Sequence, residues 1–148
     1  SEMCIRDRFV GKTQINLNLA NDKKISFDLE SSDMTELLKN SDFVSLHVPA
    51  QKSYVIGKNE FNLMKTGAGL INAARGGVVD EKSLIESLDS GKLAFAGVDT
   101  FENEPKPSVK LLMHPKVSLT PHIGAATNEA QDRIGIELAN QIMTLVKE

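Results

Sequence analysis

Short runs of consecutive apolar residues alternate along this chain with stretches in which apolar positions recur every three or four residues. The runs DFVSLHVP (residues 42–49), GLINAA (69–74), LAFAGVDTF (93–101) and KVSLT (116–120) predict strands, and KKISFDL (23–29) predicts another ahead of them. Between them, SSDMTELLKN (31–40) predicts a short helix, with Asp33 and Glu36 at capping-box spacing. KNEFNLMKTG (58–67) predicts a second helix, ended by Gly67. DEKSLIESLDSG (80–91) gives the clearest helical pattern: Leu84, Ile85 and Leu88 share a face, acids fill the first turn and Gly91 stops it. The last 21 residues, from Asn128, predict one long helix. Apolar strands separated by helices imply a parallel sheet covered on both faces, an α/β doubly wound domain of Rossmann type. No internal repeat or low-complexity segment interrupts this alternation.

The opening SEMCIRDRFVGKTQ has neither period, and the chain does not begin with methionine. Residues 1–8 are expected to be a truncated or partly foreign leader and are left out of the predicted fold.

At 148 residues the chain has the length of one domain. Its 17 basic and 20 acidic residues give a net charge of −3, with no basic run that would mark a nucleic-acid footprint. No apolar run approaches the roughly 20 residues of a membrane span, so neither nucleic acid nor membrane is an expected partner, and the expected location is the cytoplasm. A lone cysteine, Cys4, leaves no internal disulfide. With the three histidines it matches no metal-ligand spacing, and no metal is expected.

In open parallel sheets, ligands bind beyond the carboxyl ends of the strands. The residues there are His47, Val48 and Pro49; Asn72, Ala73, Ala74, Arg75, Gly76 and Gly77; Asp99 through Pro105; and Pro121 through Gly124. An arginine among small residues offers a rigid fork of donors that suits an anionic substrate. A histidine exchanges protons near neutral pH, and a carboxylate beside it would fix its tautomer, which makes His122 with Glu104 the natural pair. Asp99 could accept from an amide-bearing ligand. Taken singly, each has an ordinary structural role in caps, turns or surface ion pairs; the combination is what points to catalysis. His114 is expected to be a solvent-facing turn residue, and Met113 a gap-filler.

The segments SDFVSLHVP, LMKTGAGLINAARGGVVDEKSLIESLDSGKLAFAGVDTFENEP and VSLTPHIGAATNEAQ resemble the D-isomer-specific 2-hydroxyacid dehydrogenases over about residues 41–146, and RIGIELANQI looks closest to their phosphoglycerate dehydrogenase branch. The resemblance implies NAD as cofactor, with NADP left open, and a small anionic 2-hydroxy or 2-oxo acid as substrate. It gives Arg75 to the substrate carboxylate, His122 to proton transfer and Glu104 to orienting that histidine. It gives Asp99 to the nicotinamide carboxamide. His47, Val48, Pro49, Ala73, Ala74, Arg75, Ile123, Gly124 and Ala125, with Asp99 and His122, become cofactor-lining positions.

The resemblance further implies that residues 24–128 are the C-terminal part of an NAD-binding domain, that 129–148 form a helix returning toward a substrate domain, and that 1–23 stay unassigned. Full-length relatives are expected to pair as homodimers. The nearest approach to G-x-G-x-x-G, Gly67-Ala68-Gly69, lacks the third glycine and precedes a strand, so the pyrophosphate turn is expected upstream and the fragment alone is expected to be inactive. Thr100 stands where the family usually has valine. Serine-biosynthetic 3-phosphoglycerate oxidation is the leading expectation. Alternatives are hydroxypyruvate or glyoxylate reduction and, from another class, a dinucleotide-sensing corepressor-like interaction protein.

Overall fold

The computed structural model describes residues 2–6, 12–18, 24–30 and 32–146. In chain order the elements are β1 (Glu2–Arg6), β2 (Lys12–Asn18), β3 (Lys24–Glu30), α1 (Met34–Asn40), β4 (Phe43–His47), α2 (Lys58–Leu63), β5 (Ala68–Asn72), α3 (Glu81–Asp89), β6 (Leu93–Val98), α4 (Val109–Leu112), β7 (Val117–Leu119) and α5 (Asn128–Val146). Five strands form one parallel sheet in the order β1-β4-β5-β6-β7. The expected α/β class and parallel sheet are thus observed.

Two elements differ from the sequence reading. The leader set aside above contributes β1, which pairs with β4 from Glu2 opposite Phe43 to Arg6 opposite His47. β3, expected to join the parallel sheet, instead pairs antiparallel with β2. Its sequence explains this. Apolar residues alternate strictly at Ile25, Phe27 and Leu29, the pattern of an antiparallel strand with one solvated face, whereas buried parallel strands are apolar throughout. The register sets Ile15 opposite Phe27 and Leu17 opposite Ile25, so the two alternations are in phase.

The core lies between the sheet and α1–α4. Val44, Leu46, Leu70, Ala96 and Val98 point to it from the strands, and Leu38, Phe61, Leu84, Leu88 and Leu111 close it from the helices. Truncating any of these leucines to alanine costs about 2–5 kcal/mol. The opposite face of the sheet carries Phe43 and Phe95, both exposed, with ring centroids 5.8 Å apart. Gly69 lies between them in register; a Cβ there would meet the Phe95 ring at 2.5 Å.

Helix starts follow the chemistry of their caps. Asp33 accepts from the Glu36 N–H at 3.0 Å, half of the predicted capping box. Asp80 accepts from the Lys82 and Ser83 N–H groups at 3.1 and 3.3 Å, which fixes where α3 begins. Thr127 accepts from Ala130 N–H at 3.2 Å at the start of α5. None of the residues of α5 is buried, and Ile134, Leu138 and Ile142, spaced four apart, are all more than half exposed.

Two smaller expectations are corrected. The His114 side chain is only 8% exposed: Nε2 lies 3.2 Å from Asp89 Oδ1, and Nδ1 accepts from Lys116 N–H at 3.2 Å. It ties the end of α3 to the approach to β7, so it is a packing residue. Met113 fills no gap, being 78% exposed just after the single turn of α4, a helix absent from the sequence reading.

Candidate active site

Strands β4 to β7 end on one edge, and the loops that leave it carry the predicted residues. A cleft of about 290 Å³ opens there, with Ile71, Gly97 and Ser118 as its floor and Ala73, Asp99 and Gly124 on its walls. The floor residues are register partners on neighbouring strands, so the cleft lies along the face of the sheet.

Residue 122 is the only non-glycine described with positive φ, at 56°. Such a backbone costs of order 1–3 kcal/mol and persists where its surroundings over-determine it. Asp99, at the end of β6, supplies that determination. Its Oδ1 accepts from the Ile123 N–H at 2.9 Å and from the Thr120 hydroxyl at 2.5 Å, and its Oδ2 accepts from the Gly124 N–H at 2.9 Å. Burial pushes the Asp99 carboxyl up, but the bonds from Thr120, Ile123 and Gly124 outweigh it and hold it below the usual aspartate value. Oδ2, with one acceptor direction left toward the cleft, can still receive an amide N–H. A Cβ at Gly124 would lie 3.0 Å from that oxygen, so the absence of a side chain keeps the direction open.

His122 Nδ1 is 2.9 Å from Glu104 Oε2, the predicted pair. Glu104 is itself oriented by the Phe101 N–H, which donates to Oε1 at 2.9 Å. That backbone bond, followed by the one from His122, holds the Glu104 carboxyl below the ordinary glutamate value. With Nδ1–H donated to the carboxylate, the ring presents Nε2 as the atom that takes or gives a proton.

Arg75 lies on the loop after β5 and is exposed; its Nη1 donates to the Ala74 carbonyl at 2.7 Å, while Asn72 Nδ2 donates to the Arg75 carbonyl at 3.3 Å. The guanidinium is therefore on the correct edge but not bonded to the His122–Glu104 pair. Ala73 reaches the cleft, whereas Ala74 is buried behind it. Ile123 lines the cleft beside Gly124, and Ala125 follows as an exposed residue whose carbonyl accepts from Gln131 Nε2 at 2.6 Å. His47, at the end of β4, shares a 2.9 Å hydrogen bond with the Ser45 hydroxyl; Val48 is buried and Pro49 exposed.

Several contributors were given no role in the sequence: Gly76 and Glu102 stood among the strand-end residues, whereas Thr120 and Glu81 lay outside them. Thr120 joins the Asp99 clamp. Gly76 packs so closely that a Cβ would lie 1.9 Å from the Phe101 carbonyl oxygen. Glu81 and Glu102 exchange bonds, each carboxylate accepting from the other's backbone N–H at 2.9 and 2.8 Å. Burial is the largest influence on Glu81 and pushes its carboxyl up, against the lowering by the Glu102 N–H. The Glu102 carboxylate also raises the Tyr54 phenol.

The donor set fits the nicotinamide end of a dinucleotide: a cleft floored by Ile71, Gly97 and Ser118, an acceptor oxygen on Asp99 for a carboxamide, and His122 with its Glu104 partner at the same edge. A parallel α/β sheet with this edge defines a dinucleotide-binding domain. Residues 12–124 match the family model described as D-isomer specific 2-hydroxyacid dehydrogenase, NAD binding domain, and the chain belongs to that family.

Among its relatives are a hydroxypyruvate reductase of Thermotoga maritima, 47% identical over 77% of this chain and 39% of its own, and a D-3-phosphoglycerate dehydrogenase of Dictyostelium discoideum, 39% identical over 99% of this chain and 38% of its own. A solved glyoxylate reductase from Paecilomyes thermophila superposes with a TM-score of 0.69 at 36% identity, covering 80% of this chain and 37% of that one. The chain thus spans about two fifths or less of the length of these relatives. Among the described residues no helix is long and apolar enough to cross a membrane, and no cluster of metal-ligating side chains occurs.

Proposed function

We propose that the chain forms part of an enzyme that transfers a hydride between NAD and the C2 of a small D-2-hydroxy acid. The observation that carries this reading is the His122 Nδ1–Glu104 Oε2 bond of 2.9 Å at the edge of a cleft that also presents Asp99. When bound, the nicotinamide supplies the hydride acceptor or donor, and the protein supplies everything else. His122 Nε2 takes the hydroxyl proton as the 2-hydroxy acid is oxidised and returns it in the opposite direction. Glu104 keeps Nδ1–H pointed at itself and stabilises the imidazolium as it forms. Arg75, once turned from the Ala74 carbonyl, holds the substrate carboxylate as a bidentate pair. Asp99 receives the carboxamide N–H at Oδ2, Ala73, Ile123 and Gly124 line the cleft around it, and His47, Val48, Pro49, Ala74 and Ala125 stand at the same edge of the sheet.

The favoured substrate is 3-phosphoglycerate. It is supported by the character of the final helix and by the D-3-phosphoglycerate dehydrogenase relative, whose match runs over 99% of the chain and so includes that helix. A second reading, reduction of hydroxypyruvate or glyoxylate, is favoured by the higher identity of the Thermotoga relative. The proposed enzyme works as a homodimer in the cytoplasm. Rates for 3-phosphohydroxypyruvate, hydroxypyruvate and glyoxylate with NADH, measured on the full-length enzyme that carries this chain, separate the two. A preference for the phosphorylated acid supports the first reading; a preference for either unphosphorylated acid replaces it with the second.

A further inference from the structure

Arg75 and Glu104 sit on separate loops, one after β5 and one after β6, and neither loop has regular secondary structure at those residues. Their relative placement must therefore be set by contacts between the loops. Two such contacts are built in. At one end, Gly76 lies flat against the Phe101 carbonyl, at a separation that excludes any side chain. At the other, Glu81 at the start of α3 and Glu102 face each other across the gap. Glu81 N–H donates to Glu102 Oε1 at 2.9 Å, and Glu102 N–H donates to Glu81 Oε1 at 2.8 Å.

Two like-charged side chains are thus spent on capping each other's backbone. Such an arrangement is costly unless the bonds themselves are needed, because a carboxylate near another carboxylate is disfavoured and Glu81 is only 7% exposed. The first free N–H of α3 would otherwise be unsatisfied, and so would the N–H of Glu102. Phe101, next to Glu102 in the chain, donates its N–H to Glu104 Oε1, and Glu104 Oε2 meets His122 Nδ1. A rotation of the 101–102 segment would therefore be felt at the histidine within two hydrogen bonds.

We infer that Glu81 and Glu102 are positioning residues, a reciprocal latch that fixes the loop bearing Glu104 against the helix that follows the Arg75 loop. Neither lines the cleft; they act through Glu104 and Arg75. The inference rests on the reading of Glu104 and His122 as the proton-handling pair, and it deepens that reading by naming what sets the pair's geometry. A misplacement of about 1 Å in such a site costs on the order of a hundredfold in rate, so a latch of two hydrogen bonds has a functional consequence well beyond its contribution to stability.

What the latch needs is an acceptor oxygen on each side chain, not a charge. That requirement supplies the test. In the 148-residue chain, amide hydrogen exchange at Phe101 and the NMR titration of the Glu104 carboxyl are compared in the wild type, Glu81→Ala, Glu81→Gln, Glu102→Ala and Glu102→Gln. Amides of β5 serve as the reference for global opening. The expected result is that each alanine variant exchanges Phe101 about tenfold faster while the β5 amides hold, and that the Glu104 midpoint moves up toward the ordinary glutamate value.

Each glutamine variant keeps both readouts at wild-type levels, because its amide oxygen still accepts. If Glu81→Ala does not fold, Glu102→Ala reads the other arm from the less buried side. Wild-type behaviour in the alanine variants overturns the latch, as does a glutamine variant as damaging as its alanine counterpart. A Glu104 carboxyl that titrates ordinarily in the wild type overturns instead the His122–Glu104 pairing on which the latch rests.

Discussion

Gly76→Ala isolates the contact between the two loops with one methyl group. An ideal Cβ on residue 76 lies 1.9 Å from the Phe101 carbonyl oxygen, 2.6 Å from its carbonyl carbon and 3.3 Å from the Glu102 nitrogen. Real Cβ contacts essentially never fall below 3.0 Å, so the loops must separate by more than an ångström. The obstacle is backbone, not a side-chain tip that can rotate away. Overpacking a core with added methylenes costs about 1–3 kcal/mol, and a rigid obstacle belongs at the upper end. Alanine recovers part of this, up to about 1 kcal/mol, by restricting the unfolded chain, since Gly76 does not sit in the left-handed region.

The net expectation is a loss of about 2–3 kcal/mol. In a chain of this size it lowers Tm by roughly 4–12 °C. Urea unfolding followed by circular dichroism measures it, with Gly91→Ala as a control. Gly91 has a φ of 76° and open space around its Cβ position, so its substitution reports conformational strain alone, about 1 kcal/mol. A Gly76→Ala variant as stable as the wild type, or less damaged than Gly91→Ala, would refute the close approach of the loops.

Thr100→Val should stabilise the fold by about 1 kcal/mol in the same unfolding assay, because the Thr100 hydroxyl is buried with no hydrogen-bond partner among the described residues; a loss of stability would mean that the hydroxyl is satisfied. Asp99→Asn must turn its NH2 toward either the Gly124 N–H or the Ile123 N–H and so sacrifices a charge-assisted bond. It should cost about 2 kcal/mol and broaden the amide signals of residues 122–124, and unchanged signals would count against the clamp. Glu81, whose carboxyl is raised by burial, holds its proton to higher pH when folded than when unfolded, so its contribution makes stability fall as pH rises from the ordinary glutamate value through the raised one. Glu81→Gln should remove that slope, and denaturation midpoints that decline identically in both proteins over this interval would contradict the assignment.

The parts of the fold legible in the sequence were those with a strong period. β4 to β7 are short, mainly apolar runs, α3 has its stripe and its Asp80 cap, and Gly67 and Gly91 both adopt the positive φ that ends a helix or turn. The strict alternation of Ile25, Phe27 and Leu29 was present too, and its period marks an antiparallel partner. β1 carries no such pattern: Glu2 and Arg6 bound a run of three apolar residues, and its pairing with β4 is a long-range backbone match that no local periodicity encodes. In the site, position relative to strand ends was enough to nominate Arg75, Asp99, Glu104 and His122. The contacts that orient them were not legible, because a carboxylate accepting from a backbone N–H, as Asp99, Glu81 and Glu102 each do, leaves no trace in residue spacing.

In the proposed reaction His122, held by Glu104, moves the proton that accompanies hydride transfer at C2. The most direct measurement uses the full-length enzyme that carries this chain, NADH deuterated at the transferring position, and a 2-oxo acid substrate, in the wild type and in His122→Asn. Deuterium is expected at C2 of the D-isomer of the product, with a fall in kcat of about a hundredfold or more in the variant. Deuterium in the L-isomer, no label at C2, or a variant that turns over at the wild-type rate would contradict it.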